Sequence, residues 1–295
     1  MYSYIFPDLT EWFEIEVYRE HNKCHLLEIK MKNGLSTSQV KEFCTIFAKY
    51  ICSVRCSSES LYNEMVDAID KKTALSPSSK VRLQNEFYNG FIRDEEYKKT
   101  GDYKKSFDND GIKGYLGEAL YYLVRENHVE DENISIEPRK PKSVAKTAGI
   151  DFLEVRKDGV GFYFIVGEVK TTSNSYSTRN QEVIDSFINR INRNFSEIYS
   201  DLKEQDDGTD AAYTAFLEDM INIFYSYVGS DRKRFSGVFN YGYSGRRISA
   251  ASFSTWKDQP FEIDDNPLCR KLKLVGIYNI DDVLTGVRDI IWNVL

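Results

Sequence analysis

The segment GIDFLEVRKDGVGFYFIVGEVKTT, residues 149–172, places charges where a buried strand should carry none. IDFLEVR and FYFIVGEVK predict two strands, and the intervening Asp158-Gly159 favours a tight hairpin turn because both residues tolerate positive φ. Asp151 opens the first strand, and Glu168 and Lys170 lie near the end of the second. This hairpin is therefore expected to determine both the fold and the candidate site.

The length of the hairpin connection decides whether the two carboxylates meet. A two-residue connection puts Asp151 opposite Val166 and diagonal to Glu168, whereas a four-residue connection puts Asp151 directly opposite Glu168. Because side chains alternate along a strand, both connections place Asp151, Glu168 and Lys170 on one face. A three-residue connection would place the carboxylates on opposite faces.

Two carboxylates and an ammonium group on an apolar hairpin need compensating partners. A divalent cation supplies one, because Asp151 and Glu168 offer hard oxygen ligands for Mg²⁺ or Mn²⁺ and the Val169 carbonyl offers another. Such an ion would activate a bound water and stabilise charge on a phosphoryl oxygen, while Lys170 orients the water or neutralises the developing charge. The pattern predicts phosphodiester hydrolysis.

A second acid lies upstream, on the predicted helix GIKGYLGEALYYLVREN. Glu118 falls outside the apolar stripe of this helix, which is formed by Ile112, Leu116, Ala119, Leu120 and Leu123. One interpretation is that Glu118 is exposed to solvent. The other is that Gly114 and Gly117 let the helix approach the sheet closely, so that Glu118 joins the metal site.

The acid-x-lysine spacing also occurs at Glu28-Ile29-Lys30, within the strand-like LLEIKM. That pair lacks a preceding Gly-Ile-Asp strand across a tight turn and an upstream acid on an apolar helix. We therefore assign the site to Glu168 and Lys170.

The rest of the chain predicts an α/β fold, with a mixed sheet flanked by helices. WFEIEVY and KCHLLEIKM predict two strands, and helices are expected at about 38–52, 59–71 and 79–98. After residue 106 the order is helix, hairpin, two long helices (about 179–205 and 210–228), two strands (FSGVFNYGY and LKLVGIYNI) and a final helix. The charged, glycine-punctuated stretch before residue 106 suggests a division into an N-terminal α/β interaction or regulatory region, 1–105, and a core, 106–295.

Composition and charge narrow the class of protein. No apolar run reaches the roughly 20 residues of a membrane span, and the acidic start lacks a signal peptide, so we expect a cytoplasmic protein without membrane contact. Five cysteines without C-x-x-C spacing argue against a disulfide framework and a zinc site. Cys44, Cys52 and Cys56, on or beside a predicted helix, are expected to be buried structural thiols. A formal net charge of -7 indicates that nucleic acid, if it is the substrate, is delivered by another factor. The basic residues of segment 139–146 are candidates for phosphate contacts, and a solvated loop is the alternative.

Three motifs, taken in order, resemble the PD-(D/E)-x-K nuclease superfamily. They are Gly-x-x-Gly-Glu on a helix, Gly149-Ile150-Asp151 opening a strand, and Gly167-Glu168-Val169-Lys170 closing its partner, with Ile150 in place of proline. The resemblance implies a restriction-endonuclease-like, metal-dependent core. In it Asp151 and Glu168 are ligands, Lys170 is catalytic and Glu118 assists.

The N-terminal extension, the GYLGEALYYL helix and the hairpin together resemble, more narrowly, the nuclease subunit of the Hachiman anti-phage defence system. This resemblance implies a complex with a partner helicase and degradation of DNA on infection. The chain carries no G-x-x-x-x-G-K-[S/T] loop, so any ATP-driven step belongs to that partner. A non-catalytic adaptor with a nuclease-like core and a stand-alone restriction or repair nuclease are the alternatives, and the intact acid, acid and lysine set favours an enzyme. The sequence does not decide whether the substrate is DNA or RNA.

Overall fold

The structure, a computed structural model, describes residues 8–21, 24–91, 109–127, 151–157, 159–172, 195–225, 233–243 and 270–295. Within them, a six-stranded mixed sheet with helices on it confirms the predicted α/β architecture. The strands are β1 (Phe13–His21), β2 (Cys24–Met31), β3 (Phe152–Lys157), β4 (Phe162–Thr172), β5 (Lys233–Tyr243) and β6 (Arg270–Tyr278). The helices are α1 (Thr37–Arg55), α2 (Glu59–Lys71), α3 (Pro77–Phe91), α4 (Asn109–Asn127), α5 (Phe195–Gln205), α6 (Ala211–Tyr225) and α7 (Ile280–Val294).

The sheet order is β1-β2-β6-β5-β4-β3. The four central strands run parallel, and the antiparallel hairpin partners β1 and β3 form the edges. The N-terminal hairpin pairs with β6, so one continuous sheet contains strands from both ends of the chain. The predicted boundary near residue 105 and the predicted helical segments 92–98 and 179–194 lie outside the described residues.

The hairpin of β3 and β4 has the four-residue connection. Lys157 pairs with Phe162, so residues 158–161 form the connection and the two-residue alternative is wrong. Gly161 has φ of 141°, a backbone conformation that residues with a side chain rarely adopt. Glycine at position 161 therefore lets the connection adopt a conformation that a side chain would strain.

Each face of the sheet has its own apolar core, because successive side chains of β4 point to opposite faces. Tyr163, Ile165 and Val169 join the larger core formed with α1, α2, α3, α4 and α7. Phe162 and Phe164 point to the other face and pack on α6, where Phe162 lies 5.8 Å and Phe164 6.3 Å from the ring of Phe216. Thus β4 is buried on both sides along most of its length.

Helix α1 anchors the larger core. Its N-terminus has a reciprocal cap, in which the Ser36 hydroxyl accepts from the Gln39 backbone and the Gln39 side chain accepts from the Ser36 backbone. Cys44, Cys52 and Cys56 on or beside it are buried free thiols, as predicted. Burial raises the pKa of Cys44 to about 11 and that of Cys56 to about 12, so neither thiol ionises near neutral pH.

None of the helices in the described ranges is both long enough and apolar enough to span a membrane.

Candidate functional site

Glu168 and Lys170 form an ion pair at the C-terminal part of β4. They lie on the face that packs on α6, opposite to the face reached by Val169. Lys170 Nζ donates to Glu168 Oε1 at 2.5 Å. The Glu168 side chain is 4% exposed and the Lys170 side chain 23%. The carboxylate is therefore largely shielded, while the ammonium group beside it reaches solvent.

Asp151 is fixed against the same stretch of β4 by its backbone and its side chain. Its N–H donates to the Gly167 carbonyl at 3.0 Å, and its Oδ2 accepts from the Val169 N–H at 2.7 Å. Its own carbonyl accepts from the Tyr122 hydroxyl of α4 at 3.4 Å. The structure thus places the Asp151 carboxylate at the backbone between Glu168 and Lys170.

Glu118 lies on the helix that covers the opposite face of β4. It is 7% exposed, so the interpretation of a solvent-exposed side chain is wrong. The reason is that residues 115–124 of α4 are buried on every side, whereas the sequence stripe marked only one side. Burial raises the pKa of the adjacent Tyr115 phenol; the Arg55 guanidinium opposes this shift and Glu118 adds to it. Glu118 and Arg55 therefore both lie close enough to the Tyr115 phenol to affect it electrostatically.

A buried network that we did not predict lies between β3 and α4. Glu154 and Arg156 are each 2% exposed. Glu154 accepts from Arg156 Nε at 3.0 Å, from Arg156 Nη2 at 2.9 Å and from the Tyr121 hydroxyl at 3.0 Å. Burial acts to lower the pKa of Arg156, but Glu154, Tyr121 and Tyr163 together raise this pKa above its ordinary value, so the guanidinium stays charged. The sequence did carry a signal for this pair: Glu154 and Arg156 are two residues apart in the apolar strand IDFLEVR, so their side chains share one face and can form an ion pair.

The competing pair, Glu28 and Lys30, is also buried. Across the sheet, Glu28 of β2 pairs with Leu274 of β6, which pairs with residue 239 of β5, which pairs with Lys170 of β4. Glu28 and Lys170 therefore lie on the same face. Three strand spacings separate them by roughly 14 Å. Lys30 is more deeply buried than Lys170, so of these two pairs the one on β4 has the more accessible ammonium group.

The donor chemistry at Asp151 and Glu168 suits a hard divalent cation. No three His, Cys, Asp or Glu side chains in the described part of the chain are arranged to share a metal ion. The structure therefore does not bring Glu118 together with Asp151 and Glu168, since α4 lies on the opposite face of β4. Glu118, Asp151, Glu168 and the Val169 carbonyl stay predicted ligands that the structure does not test. Residues 149 and 150 and the basic segment 139–146 lie outside the described residues.

Comparison with known proteins identifies the family. No curated protein matches the chain significantly. The family named HamA matches residues 7–271, a range that contains α4, the β3–β4 hairpin and all of the candidate site residues. The chain therefore belongs to the HamA family of the Hachiman anti-phage defence system.

Proposed function

We propose that this chain is a metal-dependent DNA nuclease with a restriction-endonuclease-like core, acting as the effector of a defence complex with a partner helicase. The observation that carries the proposal is the pairing of a shielded Glu168 carboxylate with a solvent-reaching Lys170, next to an Asp151 carboxylate fixed at the Val169 backbone. Membership of the HamA family supports the role in defence.

The two carboxylates fit Mg²⁺ or Mn²⁺. Magnesium is commonly held through one or two carboxylates, with waters and substrate phosphates completing its shell, so a third protein carboxylate is not required. Asp151 and Glu168 would hold the ion. When bound, it supplies Lewis acidity at a phosphoryl oxygen and lowers the pKa of a water.

The protein groups of the site have separable tasks. The Val169 N–H fixes the orientation of the Asp151 carboxylate before substrate arrives, which preorganises the site. Glu168 holds the Lys170 ammonium group in place. Lys170 then lies where it can orient a water or neutralise negative charge that develops on the scissile phosphate.

The acidic net charge of the chain is consistent with a partner that binds the DNA. With a formal net charge of -7, the chain gains little from the non-specific attraction that drives most protein–DNA affinity. A helicase that carries DNA to the site would supply that attraction. We therefore expect stronger cleavage in the complex than from the isolated chain.

The test is cleavage of linear DNA with Mg²⁺ or Mn²⁺, by the chain alone and with its partner helicase and ATP. We expect cleavage that chelation by EDTA abolishes and that Glu168→Gln removes while the far-ultraviolet circular dichroism spectrum is unchanged. Full cleavage by Glu168→Gln would contradict the assignment. A folded wild-type complex that leaves DNA intact under all these conditions would favour the non-catalytic adaptor.

A further inference from the structure

Arg55, the last residue of α1, connects three helices. Its guanidinium carbon lies 5.5 Å from the ring centroid of Tyr115 on α4. Its Nη2 donates to the Glu86 carbonyl of α3 at 2.5 Å. One side chain from the N-terminal part of the chain thus holds α4 at a defined place against α1 and α3.

The contact with Arg55 lies at one end of a buried stripe of α4. Tyr115, Glu118 and Tyr122 are spaced i, i+3 and i+7, so they share one side of the helix and extend over about 10 Å. At the other end, the Tyr122 hydroxyl donates to the Asp151 carbonyl at 3.4 Å. The Tyr122 ring packs edge-on against Tyr121 at 5.7 Å, and the Tyr121 hydroxyl donates to Glu154 of β3.

We propose that Arg55 is a positioning residue for the site: it fixes α4 through Tyr115, and α4 fixes Asp151 through Tyr122. The inference rests on the proposed function, since it concerns the same carboxylates. A displaced α4 would move the Asp151 carbonyl and loosen the bond between Asp151 Oδ2 and the Val169 N–H. The N-terminal helices are then a structural requirement of the site.

Arginine suits this position for a physical reason. Its planar guanidinium lies over an aromatic face while its N–H groups donate in the same plane, and its charge is attracted to the ring. Lysine keeps the charge but lacks the fork of donors. Arg55→Lys should therefore retain part of the effect that Arg55→Leu abolishes.

The test is amide hydrogen exchange of the peptide that contains Val169, compared among wild type, Arg55→Leu and Arg55→Lys. Lys49→Leu is the matched control, because Lys49 lies on the same helix and donates to Asp70 of α2 at 2.8 Å. Urea unfolding gives the global stability of each variant. At comparable global stability we expect exchange at Val169 about tenfold faster in Arg55→Leu than in Lys49→Leu, with Arg55→Lys between them.

Two further readouts separate this inference from the proposed function. Arg55→Leu should weaken Mn²⁺ binding, measured calorimetrically, and slow DNA cleavage, whereas Lys49→Leu should change neither. Wild-type exchange at Val169 in both Arg55 variants, or equal acceleration in Lys49→Leu, would overturn the inference. If the wild type does not cleave DNA, the proposed function fails, while the exchange comparison still decides whether Arg55 holds Asp151 in place. Should Arg55→Leu not fold, Arg55→Lys carries the comparison.

Discussion

Glu154→Leu should cost more stability than the loss of a surface ion pair. The change removes the acceptor of both Arg156 bonds, at 3.0 and 2.9 Å, and of the Tyr121 hydroxyl at 3.0 Å. Arg156 would stay buried and charged without its carboxylate. Removing one partner of a buried ion pair costs about 3–5 kcal/mol, a large part of a typical unfolding free energy of about 5–15 kcal/mol.

The double variant Glu154→Leu/Arg156→Leu should recover most of that loss. It removes both charges of the pair, and the Tyr121 hydroxyl loses the Glu154 acceptor at a cost of about 1–3 kcal/mol. Urea unfolding followed by circular dichroism at pH 7 measures the free energies of the wild type, the double variant and both single variants, Glu154→Leu and Arg156→Leu, and non-additivity gives the coupling between the two side chains. A loss below about 1 kcal/mol in Glu154→Leu, or a double variant less stable than the single one, would refute the reasoning.

Three further predictions concern the larger core and the competing acid. Because burial raises the pKa of Cys44 from its ordinary value of 9.0 to about 11, stability is unaffected by this thiol below pH 9 and falls as the pH rises beyond it. Thiol-specific labelling of Cys44 at pH 8, located by peptide mapping, should need unfolding, and labelling of Cys44 in the native protein would contradict this. An added Cβ at Gly286 of α7 would lie 3.1 Å from Cys44 Sγ, so Gly286→Val should destabilise the protein by about 1–3 kcal/mol. Adding Cys44→Ala to this variant should recover part of the lost stability. A Gly286→Val variant with the wild-type melting temperature would argue against this close packing. Glu28→Gln should lower the unfolding free energy but leave metal-dependent cleavage by the folded protein intact, and a folded Glu28→Gln without cleavage would mean that the site lies on β2.

The sequence was sufficient for most of the architecture, because periodicity reports burial directly. The 3.6-residue pattern of α1 and the alternating hairpin strands each predicted the observed element. The order of strands in the sheet was not predicted. The parallel pairing of β2 with β6 joins residues 246 apart in the chain, as in Cys24 with Arg270, and no local pattern in either segment specifies its partner.

The site was predictable where it depends on local geometry. Alternation along β4 determines that Glu168 and Lys170 are neighbours, and the observed register is one of the two that were expected to bring Asp151 to them. The position of Glu118 was not predictable, because a single apolar stripe does not reveal that α4 is covered on several sides. The contact between Arg55 and Tyr115 was not predictable either, because the two residues are far apart in the chain and no local pattern joins them.

The most direct test of the central claim compares two lysines of the same sheet face. Lys170→Met and Lys30→Met each remove one ammonium group from an acid-x-lysine pair, and single-turnover cleavage of linear DNA in the helicase complex with Mn²⁺ measures the consequence. We expect Lys170→Met to slow cleavage by a factor of about 10² or more, as loss of a charge-stabilising group does in other active sites, and folded Lys30→Met to cleave at the wild-type rate. Wild-type cleavage by Lys170→Met would contradict the assignment of the site to β4.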